Sequence, residues 1–278
     1  MNTIDYNGNV TGLNVRLEEF YRYLILFRDK INSPYDPVIN PYFWNYTMAS
    51  EQKYVDSSGK TIWHRPAPTV GIIRFLVFNS LAFGAKGTVY YMYGTQYTNV
   101  TSGAHSVFGE APLSCEITGT GMDATVTFRK SGIWNAIKTV NSEVVAWKRV
   151  FINTKVLECF TKGRPVEGLE PLPDNYECLT SLQTGGPGVI VSHLMKISDT
   201  SDSVSEVNHY LVLVNLDYEK KQAVRASFKN GYGASFIQTL SPTSIPQTTS
   251  THSVVINPAG TATLDPGGIA VISWIARQ

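Results

Sequence analysis

Residues 69–93 read TVGIIRFLVFNSLAFGAKGTVYYMY, the pattern of an apolar helix, a glycine-containing turn and an aromatic strand. Thr69 is placed to cap the helix, because its side-chain oxygen can accept a hydrogen bond from an amide of the first turn. The segment from Gly71 to Ala82 is apolar almost all round, which predicts a buried helix. Gly84 supplies a left-handed exit, and Thr88–Tyr93 then predicts a strand.

The preceding residues predict another helix and another strand. Apolar residues alternate at spacings of four and three, which predicts a helix from Val15 to Lys30 that ends before Pro34. Its apolar face consists of Leu13, Leu17, Phe20, Leu24, Phe27 and Ile31. An aromatic run over Tyr42–Met48 predicts a strand. The order helix, strand, helix, strand is that of parallel βα units, so we expect strands 42–48 and 88–93 to pair in parallel.

The following residues change character. Cys115–Phe128 alternates around a Gly-Thr-Gly turn and predicts a hairpin, and a third helix should begin near Gly132. Helical periodicity then disappears, which places a boundary between about 153 and 165. Six β-rich runs follow without intervening helices, and they predict an antiparallel β-sandwich. The runs are 188–193, 210–215, 223–228, 235–240, 253–256 and 270–274.

Composition excludes several classes of partner and site. Lys and Arg total 23 against 22 Asp and Glu in 278 residues, so we expect no nucleic-acid partner and no membrane partner. Three cysteines occur without CxxC spacing, which indicates neither a zinc site nor a disulfide framework, although one pair could still form. The chain has no P-loop, nucleophile elbow or HExxH motif, and we expect no cofactor and no metal. We also expect a soluble protein, extracellular or periplasmic if a preceding segment carries a signal peptide.

Three segments carry a resemblance to a known family. Residues 74–93 resemble the seventh helix and eighth strand of (β/α)8-barrel glycoside hydrolases related to bacterial β-galactosidases. Residues 134–143 are similar to the eighth helix of these enzymes, and residues 264–268 to the end of their C-terminal sandwich. The resemblance covers most of residues 13–278.

The resemblance implies an α/β part followed by an all-β part. Residues 1–160 would form an incomplete (β/α)8 barrel containing the last units only, and residues 161–278 an antiparallel β-sandwich domain. Two strands cannot close a barrel that needs eight. A second chain that completes the barrel, or self-association, is therefore expected.

The resemblance also implies a sugar site at the carboxyl ends of the barrel strands. Such enzymes use two carboxyl groups, and the strand that carries the acid has no counterpart here. Glu51, three residues past Met48, is the candidate catalytic residue, and its competing interpretation is a solvated loop glutamate. The candidate sugar-binding residues are Trp44, Trp63, His64, Tyr91 and Tyr93.

Two functions follow from these observations, and a generic surface or capsid-like β-protein is a third interpretation. The first is a fragment or subunit of a glycoside hydrolase acting on O-glycosidic bonds, inactive alone because the catalytic pair is incomplete. The alternative is a non-catalytic carbohydrate-binding or structural module. The hydrolase and the carbohydrate-binding module both predict a carbohydrate ligand. Aromatic residues make up 12% of the chain, which suits sugar stacking as well as a tyrosine-rich core.

Overall fold

Most of the chain forms β-sheets. A computed structural model describes residues 3–4, 10–11, 13–35, 41–46, 68–91, 94–97, 112–118, 121–197, 206–240, 253–257 and 260–277. Within these residues there are three α-helices, α1 Leu13–Ile31, α2 Val70–Ala82 and α3 Gly132–Phe151. The strands of the first half are β1 Thr3–Ile4, β2 Val10–Thr11, β3 Tyr42–Tyr46, β4 Gly87–Tyr91, β5 Gly94–Tyr97, β6 Leu113–Thr118 and β7 Thr125–Lys130. The later strands are β8 Thr154–Gly163, β9 Glu170–Pro171, β10 Leu179–Thr184, β11 Gly188–Lys196, β12 Glu206–Asn215, β13 Gln222–Phe228, β14 Ser235–Leu240, β15 Ser253–Asn257, β16 Thr261–Leu264 and β17 Ile269–Arg277.

Two sheets dominate the second half. Seven strands form the larger sheet in the order β15-β14-β17-β12-β11-β8-β9, and β10-β13-β16 form the smaller one. All neighbouring strands of the two sheets are antiparallel except the pair β8 and β9. This arrangement is compatible with the predicted β-sandwich.

The central strand β11 of the larger sheet is buried on both faces over most of its length, and its successive side chains point to opposite sides. On β11, Val189 and Val191 belong to the core shared with the smaller sheet. Ile190 and Leu194 belong to a second core that the helices complete. The helices, the seven-stranded sheet and the three-stranded sheet therefore form three layers.

Two glycines allow α2 to approach the second half closely. A Cβ atom on Gly71 would lie 2.1 Å from the carbonyl oxygen of Tyr218. Gly267 has a φ of +61°, and a Cβ atom there would lie 2.2 Å from the carbonyl oxygen of Gly71. At the other end of α2, the hydroxyl of Ser192 on β11 donates to the carbonyl oxygen of Ala82 at 2.5 Å. Backbone contact therefore holds α2 against the sheet region.

The predicted incomplete (β/α)8 barrel over residues 1–160 is wrong. The described residues are mostly β-strands in sheets, and β3 and β4 form a two-stranded sheet of their own. Helices α2 and α3 contribute to the core on one face of the antiparallel sheet, whereas barrel helices form a ring outside parallel strands. The succession of helix and strand that suggested a barrel is local, and it does not determine which surface the helix covers.

Several local predictions are confirmed. Strands β3 and β4 pair in parallel, with Trp44 opposite Val89. The side chain of Thr69 accepts a hydrogen bond from the amide of Ile72 at 3.2 Å, and Gly84 has a φ of +105°. The predicted hairpin is the antiparallel pair β6 and β7.

The predicted boundary at residue 160 lies inside β8. The division into two domains stays a prediction, and the core under the helices contains residues from both sides of that position. Among the described helices, none combines the length and apolar character needed to cross a bilayer.

Candidate functional site

The predicted site residues are only partly described. Glu51, Trp63, His64 and Tyr93 lie outside the described residues. The backbones of Trp44 and Tyr91 lie on the paired strands β3 and β4, and their side chains are outside the description. The roles given to these six residues stay predictions.

Arg74, which the sequence places at the start of the buried helix, forms an ion pair between helices. Its Nε atom donates to Glu143 Oε2 at 2.8 Å, and a terminal nitrogen donates to Oε1 at 2.5 Å. Both side chains are largely buried. Burial lowers the pKa of Arg74, but the hydrogen bond and charge of Glu143 outweigh that effect and the pKa is raised. Arg74 therefore joins α2 to α3.

A cleft of about 600 Å³ lies where α1 ends and where β3, β4 and β8 begin. Tyr42, the first residue of β3, lines it and is 60% exposed. Its ring lies against Gly87, because a Cβ atom on that glycine would come within 2.4 Å of the ring. The cleft is at the amino ends of β3 and β4, opposite to the carboxyl ends at which the sequence places the sugar site.

Neutral polar groups line much of this cleft. Asn32 donates through its amide nitrogen to the carbonyl oxygen of Val156 at 3.1 Å, which fixes the orientation of the amide. The hydroxyl of Ser33 accepts from the amide of Tyr35 at 3.3 Å. Asn153 also lines the cleft and has a φ of +55°. No carboxylate is among the described residues that line the cleft.

Lys86 forms part of the cleft wall and caps α3. Its Nζ atom donates to the carbonyl oxygens of Phe151 at 3.0 Å and Thr154 at 2.6 Å, and to the Thr154 hydroxyl at 3.3 Å. Burial lowers the pKa of Lys86 to about 8. Because the free carbonyl groups of a helix end favour a cation, we assign Lys86 a structural role in the cleft.

A second polar cluster lies in the sandwich, on the side of the larger sheet that faces the smaller one. The hydroxyl of Tyr176 donates to Glu158 Oε2 at 2.5 Å and lies 2.7 Å from His193 Nδ1. His193 Nε2 lies 2.9 Å from His209 Nδ1. The indole of Trp274 stacks on His209 at a centroid distance of 5.3 Å, and its N–H is buried without a hydrogen-bond partner in the described residues.

Sequence reasoning missed both the cleft and this cluster. His193 stands in the predicted run 188–193, where alternation puts it on the same face as Val189 and Val191. That position was a detectable signal of a buried histidine. Its partners come from other strands and from a loop, and no local pattern brings these together.

Among the described residues, no three His, Cys, Asp or Glu side chains are placed to hold a metal ion. Cys159 and Cys178 are both buried free thiols. Comparison of the chain with known protein families, with curated proteins and with solved structures finds no match.

Proposed function

We propose that the protein is a non-catalytic carbohydrate-binding module whose ligand occupies the cleft beside Tyr42. The observation that carries the proposal is an exposed aromatic ring held against a glycine inside a cleft lined by neutral polar groups. Sugars present C–H faces that stack on aromatic rings and hydroxyl groups that need hydrogen-bond partners.

The position of Tyr42 suits a stacking platform. Its ring is supported on one side by Gly87, so little side-chain freedom remains to be lost when a ligand stacks on it. The volume of about 600 Å³ falls in the range of small-molecule sites and suits a small saccharide.

The polar lining favours a neutral ligand over a nucleotide or a cation. Amide and hydroxyl groups both donate and accept hydrogen bonds, as sugar hydroxyls do. Among its described lining residues the cleft has neither a glycine-rich phosphate loop at a helix start nor a carboxylate for a cation. Two lysines also line the cleft: the ammonium group of Lys86 is held by the carbonyl oxygens of Phe151 and Thr154, and Lys155 is exposed.

A glycan array followed by calorimetric titration of the full chain tests the proposal. We expect saccharide binding, and we expect Tyr42→Ala to weaken it roughly tenfold, because about 1 kcal/mol of stacking is lost. Tyr35→Ala is the matched control, since Tyr35 is 95% exposed and does not line the cleft.

Gly87→Ala provides a second variant that keeps the tyrosine. The added methyl group would overlap the Tyr42 ring and displace it, so binding should weaken although no polar group of the cleft changes. Equal saccharide affinities of the wild-type chain, Tyr42→Ala and Gly87→Ala would show that the ligand does not bind in the cleft. An absence of binding to any saccharide on the array would contradict the function itself.

The glycoside hydrolase function stays a prediction that rests on Glu51 and the resemblance. The cleft gives it no support, because hydrolysis of ordinary glycosides needs two placed carboxyl groups.

A further inference from the structure

Four side chains of the sandwich form one continuous hydrogen-bonded row. The row runs from Glu158 on β8 through Tyr176, which precedes β10, to His193 on β11 and His209 on β12. Consecutive members are 2.5 to 2.9 Å apart between their polar atoms. Such a row has few allowed arrangements of its protons, because each contact needs one donor and one acceptor.

The carboxylate end fixes the direction of the row. A tyrosine hydroxyl has one hydrogen, and Tyr176 donates it to Glu158. The contact with His193 must then be donated by His193 through its Nδ1–H. A neutral His193 therefore has an unprotonated Nε2, which accepts from the Nδ1–H of His209.

A neutral His209 that carries its proton on Nδ1 has an unprotonated Nε2 atom, whose lone pair can accept a hydrogen bond. His193 is neutral at pH 7 because burial, and then repulsion by His209, lower its pKa to about 4. Burial also lowers the pKa of His209. His209 is partly exposed, and its Nε2 atom makes no hydrogen bond to the residues that the structure describes.

Two further features are typical of a binding site. Asn175 and Glu177, on either side of Tyr176, have φ values of +58° and +47°, a conformation that costs energy in residues other than glycine. The Trp274 N–H, whose indole ring packs against both histidine rings, is a buried donor with no partner among the described residues. Unused donors of this kind are uncommon in folded proteins.

We propose that the sandwich carries a second site, in which His209 Nε2 accepts a hydrogen bond from a ligand hydroxyl group. Tyr176 and Glu158 are positioning residues that act through His193 and keep the lone pair of His209 directed outward. The class of ligand is an alcohol, a sugar alcohol or a sugar. A ligand that offers only a carbonyl oxygen has no hydrogen to donate to His209 Nε2. This inference does not depend on the Tyr42 cleft.

Nitrogen-15 NMR of the histidine rings in the full chain tests the proton arrangement directly. At pH 7.5 we expect both His193 and His209 to carry the proton on Nδ1. A proton on Nε2 of His209 would overturn the proposal, because the site would then present a donor and would select ligands with a carbonyl or anionic oxygen.

Chemical modification gives a second measurement. Diethyl pyrocarbonate reacts with an unprotonated, accessible imidazole nitrogen, and peptide mapping separates His209 from the other four of the five histidines. In Tyr176→Phe, His193 Nδ1–H loses its acceptor, so the row reverses and His209 takes the Nε2–H form. We expect the modification rate of His209 to fall roughly tenfold, the discrimination typical of one lost buried hydrogen bond.

Tyr232→Phe is the control, because Tyr232 packs in the same sandwich core but does not belong to the row. Diethyl pyrocarbonate should modify His209 at the same rate in Tyr232→Phe as in the wild-type chain. If Tyr176→Phe leaves both the NMR tautomer and the rate unchanged, Tyr176 does not position His209 and the proposal is wrong. If Tyr176→Phe unfolds the chain, Glu158→Ala replaces it, because the Tyr176 hydroxyl can then donate to His193 Nδ1 and reverse the row. An unchanged NMR tautomer of His209 in that variant would overturn the proposal.

Discussion

His193 makes stability depend on pH. It is 2% exposed, and burial followed by repulsion from His209 lowers its pKa from 6.5 to about 4. Between these values the unfolded chain binds more protons than the folded chain. Stability contributed by the neutral histidine is therefore complete above about pH 6.5 and is lost as the pH falls toward 4.

We expect acidification from pH 7.5 to 4 to cost on the order of 3 kcal/mol through this residue. Urea unfolding of the full chain at a series of pH values measures the loss. His193→Gln keeps one donor and one acceptor but does not titrate, so its stability curve should be flatter in this window. Parallel curves for the two proteins would show that His193 is not the group responsible.

At the scale of the elements, Arg74 and Glu143 form the polar link between α2 and α3. Their side chains are 12% and 7% exposed, so removing the Glu143 carboxylate takes away the acceptor of the hydrogen bonds that the buried Arg74 guanidinium donates to it. We expect Glu143→Gln to destabilise the full chain by about 3 kcal/mol in urea unfolding.

The double variant Arg74→Met with Glu143→Leu removes both charges. It should be more stable than Arg74→Met alone or Glu143→Leu alone, because replacing a whole buried ion pair by apolar groups is often neutral. Additive losses in this double-mutant cycle would mean that the two side chains contribute independently.

Gly267 controls how closely α2 approaches the loop before β17. A methyl group there would meet the backbone of Gly71 at 2.2 Å, in addition to the strain of a φ of +61°. Gly233 has nearly the same φ, +58°, and no described atom lies within 4 Å of the position that its methyl group would take. Gly233→Ala therefore measures the cost of the backbone strain alone. We expect Gly233→Ala to cost about 1 kcal/mol and Gly267→Ala several times more. Similar melting temperatures for the two variants would contradict the contact.

At the scale of the whole molecule, the helices cover a face of the larger sheet that is apolar. Ile190, Leu194, Val212, Val214 and Val271 are all buried in the core that the helices complete. We expect a fragment of residues 153–278, which retains β8 to β17, to expose these side chains and aggregate. Light scattering measures aggregation of the fragment and of the full chain, and dye binding measures their exposed apolar surface. A monomeric fragment that melts cooperatively would instead support the predicted boundary at residue 160.

These observations separate what the sequence could predict from what it could not. The helices and six later strands follow from local periodicity, since Phe20 and Leu24, for example, repeat on one helix face. Strand β8 was missed because its alternation is broken: Leu157 and Glu158 are both exposed, and the next three residues, 159–161, are all buried. The barrel prediction was wrong because the surface beneath α2 is supplied by strands more than a hundred residues later.

The candidate sites were missed for the same reason. His193 and His209 meet only because β11 and β12 pair in a register that no short-range pattern specifies. Tyr42 is an ordinary strand-initial tyrosine in the sequence, and its value as a platform depends on Gly87 in the neighbouring strand.

The strand order of the larger sheet also constrains when the protein can fold. β17 lies between β12 and β14, so it bonds to strands on both sides although it is made after both of them. While the ribosome is still synthesising β15 and β16, β12 and β14 each have an unpaired edge. These two edges therefore stay unpaired for seconds, the time in which the ribosome adds a few tens of residues. In the cell, that interval is when we expect a chaperone to associate with the chain.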